Sequence, residues 1–392
     1  MKGYILSGGG ARGAYEAGVL RFVLQDFPRR TGVDPTPDVI TGTSIGALTG
    51  AWVGALGAAG SQSLTALWQN LTVDRVYRLS ARDLARLPEK LLGRAGQTGI
   101  FDPGPLGDLV RQELPWPLLH GRIDRGELRA FACAATDVAS GFCTLFVDGV
   151  PMHSHDHPTT RILPVRVQAE HCLASAAIPL VFPPVQVEGR WYVDGALRQN
   201  TPLSPALSLG VDRALVIGVK RTRSLDEISP DIPIPTPAFL AGKALNALML
   251  DPVEEDLRRL HSLNRLVGWG ATAYPDFVDR LTREHRPYRE VRTVYLRPSE
   301  DLGRMAGAVY ASHAARLPWA TRMLLRSLAG DGPGEADLLS YLLFDRAYTG
   351  ELEALGWSDA AAQEDELVAL FSEESHPPPF HGDRMPLPES RS

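Results

Sequence analysis

Short apolar runs broken by glycine, proline or polar residues alternate, in the first half of the chain, with stretches whose apolar positions recur every three or four residues. Tyr4-Ile5-Leu6 reads as a buried strand, and Ala14 to Leu24 carries helical spacing after a glycine loop. Val39-Ile40 begins a second strand that runs into a small-residue helix, Ile45 to Ala58, with Ser61 as the expected N-cap of the next helix, to Leu71. A short helix over Leu106 to Leu114 follows the turn Asp102-Pro103-Gly104-Pro105. Leu128 to Asp137 reads as a central strand with Gly141 to Asp148 as its hairpin partner. Val165 to Ile178 reads as a helix stopped by Pro179, Gln186 to Val193 as a hairpin turning near Glu188-Gly189, and Ala214 to Val219 as a further buried strand. Strands alternating with helices point to an α/β fold with a mainly parallel sheet.

Four prolines between Pro230 and Pro237 mark a break, after which the pattern is mostly helical. Helices are expected over Ala238 to Leu250, Pro252 to Val267 (with Leu257, Leu260 and Leu263 on one side), Ala336 to Phe344 and Asp359 to Phe371, with one strand over Val291 to Leu296. Residues 373–392, rich in proline, serine and charge, read as a disordered tail. The expected organisation is a core domain over 1–209, a last core strand and helical extension over 210–372, and the tail.

With 392 residues, 44% of them hydrophobic, the chain is long enough for a substantial core. Its net charge of −6 and the lack of a concentrated basic face argue against a nucleic-acid partner. The N-terminus runs directly into a triglycine without a secretory pattern, so the default expectation is a cytoplasmic protein. No run reaches the ~18 apolar residues of a membrane span, so lipid contact is expected to be peripheral. Cys133, Cys143 and Cys172 are odd in number and lack Cys-x-x-Cys spacing, which fits buried thiols. The stretch Val73 to Leu92, with Arg75, Arg78, Arg82 and Arg86, and Arg94 just beyond, reads either as a lid or lipid-facing cap or as an ordinary surface helix.

The chemistry concentrates at Gly42-Thr43-Ser44-Ile45-Gly46, where a strand meets a helix. Gly-x-Ser-x-Gly in that setting is a nucleophile elbow: Gly42 and Gly46 let two backbones approach at a turn that lifts the serine hydroxyl clear of the sheet. Ser44 is the candidate nucleophile. Gly8-Gly9-Gly10-Ala11-Arg12-Gly13 also fits the dinucleotide fingerprint, and a phosphate-binding module is the competing reading. That reading expects an acidic residue at the end of the second strand, where Gly42-Thr43-Ser44 stands instead. If Ser44 attacks an acyl carbon, the amides of Gly9, Gly10 and Ala11 become the candidate oxyanion hole, with Arg12 bracing the loop, adding positive charge or standing as a solvated side chain. His261, His285 and His313 lie in no recognisable strand-end loop, whereas Asp194-Gly195-Ala196 follows a strand. Asp194 is the candidate base, weak at its free pKa of ~3.9 unless burial raises it. The His153-x-His155-x-His157 run lacks a fourth ligand at a recognised spacing and reads as a loop, so no metal and no cofactor are expected.

These motifs, in this order, resemble those of the patatin-like phospholipases, a family of lipid acyl hydrolases. Ala174 to Val185 and Asn200-Thr201-Pro202 resemble the family's flanking segments, and the likeness runs from about Gly3 to Leu209. It implies a three-layer α/β/α fold, a Ser44–Asp194 dyad without a catalytic histidine, the glycine loop as oxyanion hole, and fatty-acyl esters such as phospholipids as substrates.

Overall fold

The structure, a computed structural model, describes residues 1–79, 99–150, 159–221, 253–274, 290–314 and 336–372, with a few residues between 276–280 and 319–326. In chain order the elements are β1 (Lys2–Leu6), α1 (Gly13–Arg21), α2 (Phe27–Thr31), β2 (Val39–Thr43), α3 (Ile45–Leu56), α4 (Ala58–Asn70), α5 (Val73–Val76), α6 (Gly104–Glu113), α7 (Trp116–Asp124), β3 (Ala130–Asp137) and β4 (Cys143–Gly149). There follow β5 (Thr160–Pro164), α8 (Ala169–Ser175), β6 (Val185–Val187), β7 (Arg190–Asp194), α9 (Leu203–Ser208), β8 (Arg213–Ile217), α10 (Val253–Ala273), β9 (Arg292–Leu296), α11 (Leu302–His313), α12 (Asp337–Leu342), α13 (Arg346–Ala362) and α14 (Glu364–Phe371).

Among the described residues nine strands join one sheet, whose main path is β5-β4-β3-β2-β1-β8-β9. The run from β3 through β2, β1 and β8 to β9 is parallel, and β4 and β7 lie antiparallel to β3. Central strands of such a sheet are covered on both faces. β1 shows this residue by residue: Tyr4 and Leu6 enter one apolar cluster and Ile5 the other, and β8 divides Leu215 and Ile217 from Ala214 and Val216 in the same way. Helices on both faces complete the three layers.

The register of β3 positions the site. One edge of β3 is taken along its length by β4. On the other edge β2 pairs with Ala130 to Ala134, and β7, running the opposite way, pairs with Ala135 to Asp137. β2 and β7 therefore meet end to end: Thr43 stands opposite Ala134 and Asp194 opposite Ala135.

The segment beyond residue 209 is built into this body. β9 extends the sheet beside β8, and Leu302, Leu339, Tyr348, Leu352, Leu367 and Phe371 share the cluster of Tyr4, Tyr15 and Phe22. Helix α13 lies against α1 at a glycine contact on each side: a Cβ on Gly18 would collide with the Glu353 carbonyl, and one on Gly356 with that of Tyr15. Arg21 pairs with Glu353 at 2.6 Å, and the Trp357 indole donates to Asp26 at 2.7 Å.

Several elements differ from expectation. The second helix of the elbow region begins at Ala58, directly after Gly57 in a left-handed conformation, so Ser61 is inside it, with its hydroxyl donating to the Ala58 carbonyl, and is not its N-cap. The expected helix from Val165 starts only at Ala169, because Val165 still bonds to Val147 beside β4 and Gln168 with His171 forms the capping box. Helix α11 and the first part of α13 are not among the helices expected in this mostly helical region. The expected lid stretch is described at Val73–Val76 and up to residue 79, Arg75 pairing with Glu113. Its remainder lies outside the described residues, as do the three-histidine run, the prolines at 230–237, the helix expected over 238–250 and the tail. Leu257 and Leu260 are buried on α10 while Leu263 is 47% exposed. Among the described residues no helix is long and apolar enough to cross a membrane.

The Gly18 contact makes a prediction. Gly18→Ala forces α1 and α13 apart and should destabilise the protein by about 1–3 kcal/mol, the range for overpacking. Gly350→Ala, on α13 but facing open space, should be neutral or stabilising by up to about 1 kcal/mol. Thermal denaturation of the two variants checks the contrast; equal melting temperatures would contradict the packing described.

Candidate active site

Ser44 sits between β2 and α3 with φ 55° and ψ −123°, a conformation that a side chain adopts only when its surroundings hold it there. What holds it is close packing. A Cβ on Gly42 would strike the Gly46 backbone, and one on Gly46 would meet the backbone of Leu6 and Ser7. The Ser44 amide is tied down as well, donating to Ser175 Oγ at 2.8 Å, while Ser175 donates to the Ala134 carbonyl at 2.6 Å. Ser175 thereby fastens the elbow to both α8 and β3.

Ser44 Oγ donates to Asp194 Oδ2 at 2.7 Å, across 150 positions of sequence. Both side chains are buried. Asp194 Oδ1 accepts from the Ala196 amide at 2.8 Å, which points the carboxylate back across the turn toward Ser44. Its backbone is held by the Thr136 hydroxyl on the carbonyl, 2.9 Å, and by its own amide donating to the Ala177 carbonyl, 2.9 Å. Gly195 is required here, because a Cβ would enter the Ala134 carbonyl. Burial away from water disfavours the charged carboxylate and raises the Asp194 pKa to about 7, against the opposing pull of the Ser44 and Ala196 hydrogen bonds. A group titrating there can take and return a proton near neutrality.

The glycine loop runs beside the elbow. A methyl placed on Gly8 would sit 3.2 Å from Ser44 Cβ. Gly8 donates its amide to the Asn200 carbonyl and Ser7 donates to Glu16 Oε1, whereas the amides of Gly9, Gly10 and Ala11 reach no carbonyl among the described residues. They lie at the start of the 3₁₀ turn Gly10–Arg12, which runs on into α1, where unbonded N–H groups and the helix field favour negative charge. Burial raises the Glu16 pKa well above the usual carboxylate range, against the pull of the Ser7 amide, so desolvation here disfavours the charged form of this side chain next to the loop. Gly10 has φ +56°, and its Cα lies against the Tyr341 carbonyl; Gly13 fits against Ile45.

Arg12 braces the loop. Its buried guanidinium bonds to Ser340 Oγ at 2.7 Å, to the Tyr341 hydroxyl at 3.3 Å and to the Asp337 carbonyl at 3.3 Å, and lies 4.1 Å over the Tyr341 ring. Beside Gly10 and Ser44 is a cavity of about 40 Å³ whose other walls are apolar, Leu48, Leu71, Phe182 and Phe344 among them.

All the residues singled out from sequence, Gly8 to Gly13, Gly42, Ser44, Gly46 and Asp194 to Ala196, meet in this one place. The downstream histidines do not: His261 bonds to Thr293 and His313 to Ser312, and His285 lies outside the described residues. The parts that Ser175, Thr136, Glu16 and the expected helix α12 play at the site were not foreseen. Ser175 stands inside Ala174-Ser175-Ala176, a segment legible as a helix but silent about the hydroxyl's partners.

Two solved structures resemble the chain distantly. VipD from Legionella pneumophila is 11% identical with a TM-score of 0.36, the match covering 93% of this chain and 66% of that one, so the chain spans just under two thirds of VipD. ExoU in its complex with SpcU, from the type III secretion system of Pseudomonas aeruginosa, is 17% identical with a TM-score of 0.25, covering 87% and 68%. The sequence profile of the family "Patatin-like phospholipase" matches residues 4–207, more than half of the chain and the whole span from the glycine loop through Asp194. The chain therefore belongs to the patatin-like phospholipase family.

Proposed function

We propose that the protein is a serine acyl hydrolase that cleaves fatty-acyl esters, phospholipids among them, through an acyl-enzyme on Ser44. The observation that carries this reading is the 2.7 Å hydrogen bond from a strained, buried serine to a buried carboxylate. Asp194 takes the Ser44 proton as Oγ attacks the ester carbonyl carbon, and the amides of Gly9, Gly10 and Ala11 receive the charge that develops on the carbonyl oxygen. The proton passes from Asp194 to the leaving alcohol as the C–O bond breaks. Water then attacks the acyl carbon, giving a proton to Asp194, and Ser44 leaves as the hydroxyl again. The apolar cavity beside Ser44 supports an acyl chain as the group bound, with peripheral contact at a lipid surface as the way such a substrate is met. A phosphate-binding use of the loop has less behind it: among the described residues, none lining the cavity shared by Gly10 and Ser44 carries a charge to hold a nucleotide.

Ser44→Ala and Asp194→Asn should each lower kcat/KM for a chromogenic acyl ester by roughly 10³–10⁶-fold with the fold retained, as removal of a nucleophile or its base does elsewhere. A fluorophosphonate should label wild type at Ser44 and leave Ser44→Ala unlabelled. Retained activity in Asp194→Asn would refute the dyad.

Because Asp194 must be ionised to accept the proton, log(kcat/KM) should rise with pH up to about 7 and level off above it. Stability has the opposite sign. An acid with a raised folded-state pKa binds its proton more tightly folded than unfolded, so its contribution is complete below the unfolded value and is lost as pH rises through about 7. Asp194→Asn removes this dependence. Its gain in melting temperature over wild type should be larger at pH 8 than at pH 5, which calorimetry at the two pH values reads directly.

A further inference from the structure

Residues 336–344 lie far beyond the 4–207 span that matches the family, yet they touch the site in three ways. The Tyr341 carbonyl packs on Gly10 of the candidate oxyanion loop. Arg12, from the same loop, is buried among Ser340, Tyr341 and Asp337. Tyr341, Leu342 and Phe344 form one side of the apolar cavity that Ser44 borders. This side is rigidly mounted. The Tyr77 hydroxyl donates to the Leu342 carbonyl at 2.7 Å, and the Phe344 ring stacks on Trp68 at 6.1 Å with planes 7° apart and meets the Tyr77 ring nearly edge-on at 6.2 Å.

We propose that the segment Asp337 to Phe344 is the acyl-chain wall of this site, and that Phe344 limits the length of acyl chain the site accepts. The inference rests on the serine hydrolase reading and adds its specificity determinant. A space of about 40 Å³ beside the nucleophile leaves room for about three water-sized groups, so a short acyl chain suits it better than a long one. Phe344 is the largest wholly apolar side chain that the segment contributes to the lining. Removing it enlarges the space on the acyl side while leaving Ser44, Asp194 and the loop amides in place.

The test is a series of p-nitrophenyl esters with two to sixteen acyl carbons, read as kcat/KM, on wild type, Phe344→Ala and Phe344→Leu. Wild type should favour the four-carbon over the twelve-carbon ester. The twelve-to-four ratio should rise at least tenfold in Phe344→Ala and by less in Phe344→Leu, while a small fluorophosphonate still labels Ser44 in both. Loss of a buried phenyl is costly to stability, so Leu367→Ala, a core truncation away from the cavity, serves as control and should leave the ratio unchanged. If Phe344→Ala fails to fold, the Phe344→Leu ratio decides. Normal labelling with an unchanged ratio in the folded Phe344 variants, or a ratio that moves equally in Leu367→Ala, overturns the wall and leaves the hydrolase standing. A wild-type protein that neither labels nor hydrolyses any ester removes both.

Discussion

The meeting of β2 and β7 along one edge of β3 is the constraint from which the site follows. Two strands entering from opposite directions and stopping at adjacent residues of a third bring their ends within hydrogen-bond reach without any loop having to span the gap. The carboxylate arrives on a sheet residue and the serine one position past another, so neither depends on a mobile connection for its place. Ser44 and Asp194 are 150 positions apart, and closing so long a loop for one side-chain contact would be unfavourable by itself. Sheet pairing and two apolar faces offset that cost.

Dryness follows from the same arrangement. Central strands covered by helices on both faces leave Asp194 without water, and it is desolvation that lifts an ordinary aspartate to the neutral range. Burial shifts Glu16 in the same direction. The same packing that makes a carboxyl group able to exchange a proton near pH 7 also disfavours charge on the carboxyl next to the loop. The glycines serve this compactness: at Gly42, Gly46 and Gly195 the neighbouring backbone occupies the volume where a Cβ would lie.

The C-terminal half belongs to the same body. β9 continues the sheet, α13 packs on α1 through paired glycine contacts, and α12 receives the guanidinium of Arg12. The loop that carries the candidate oxyanion donors is therefore supported from a part of the chain that has no recognisable motif of its own.

Much of this is legible in the order of residues. Gly42-Thr43-Ser44-Ile45-Gly46 encodes its turn locally, since only glycine fits where strand and helix backbones touch, and strand-to-helix alternation determines the class of sheet. Asp194 before Gly195 is legible as a candidate for the same reason. What residue order left open are the features that depend on distant partners: the hydroxyl of Ser175 under the elbow, the burial that shifts Asp194, the destination of Arg12, and the wall supplied by residues 336–344. Helix boundaries at Ala58 and Ala169 were likewise decided by a left-handed glycine and by a strand bond carried past its expected end. Local sequence determines which conformations and chemistries are available at a position. The dielectric around a group, and the partner its hydrogen bond finds, are set by segments hundreds of residues away and exist only once the chain has packed.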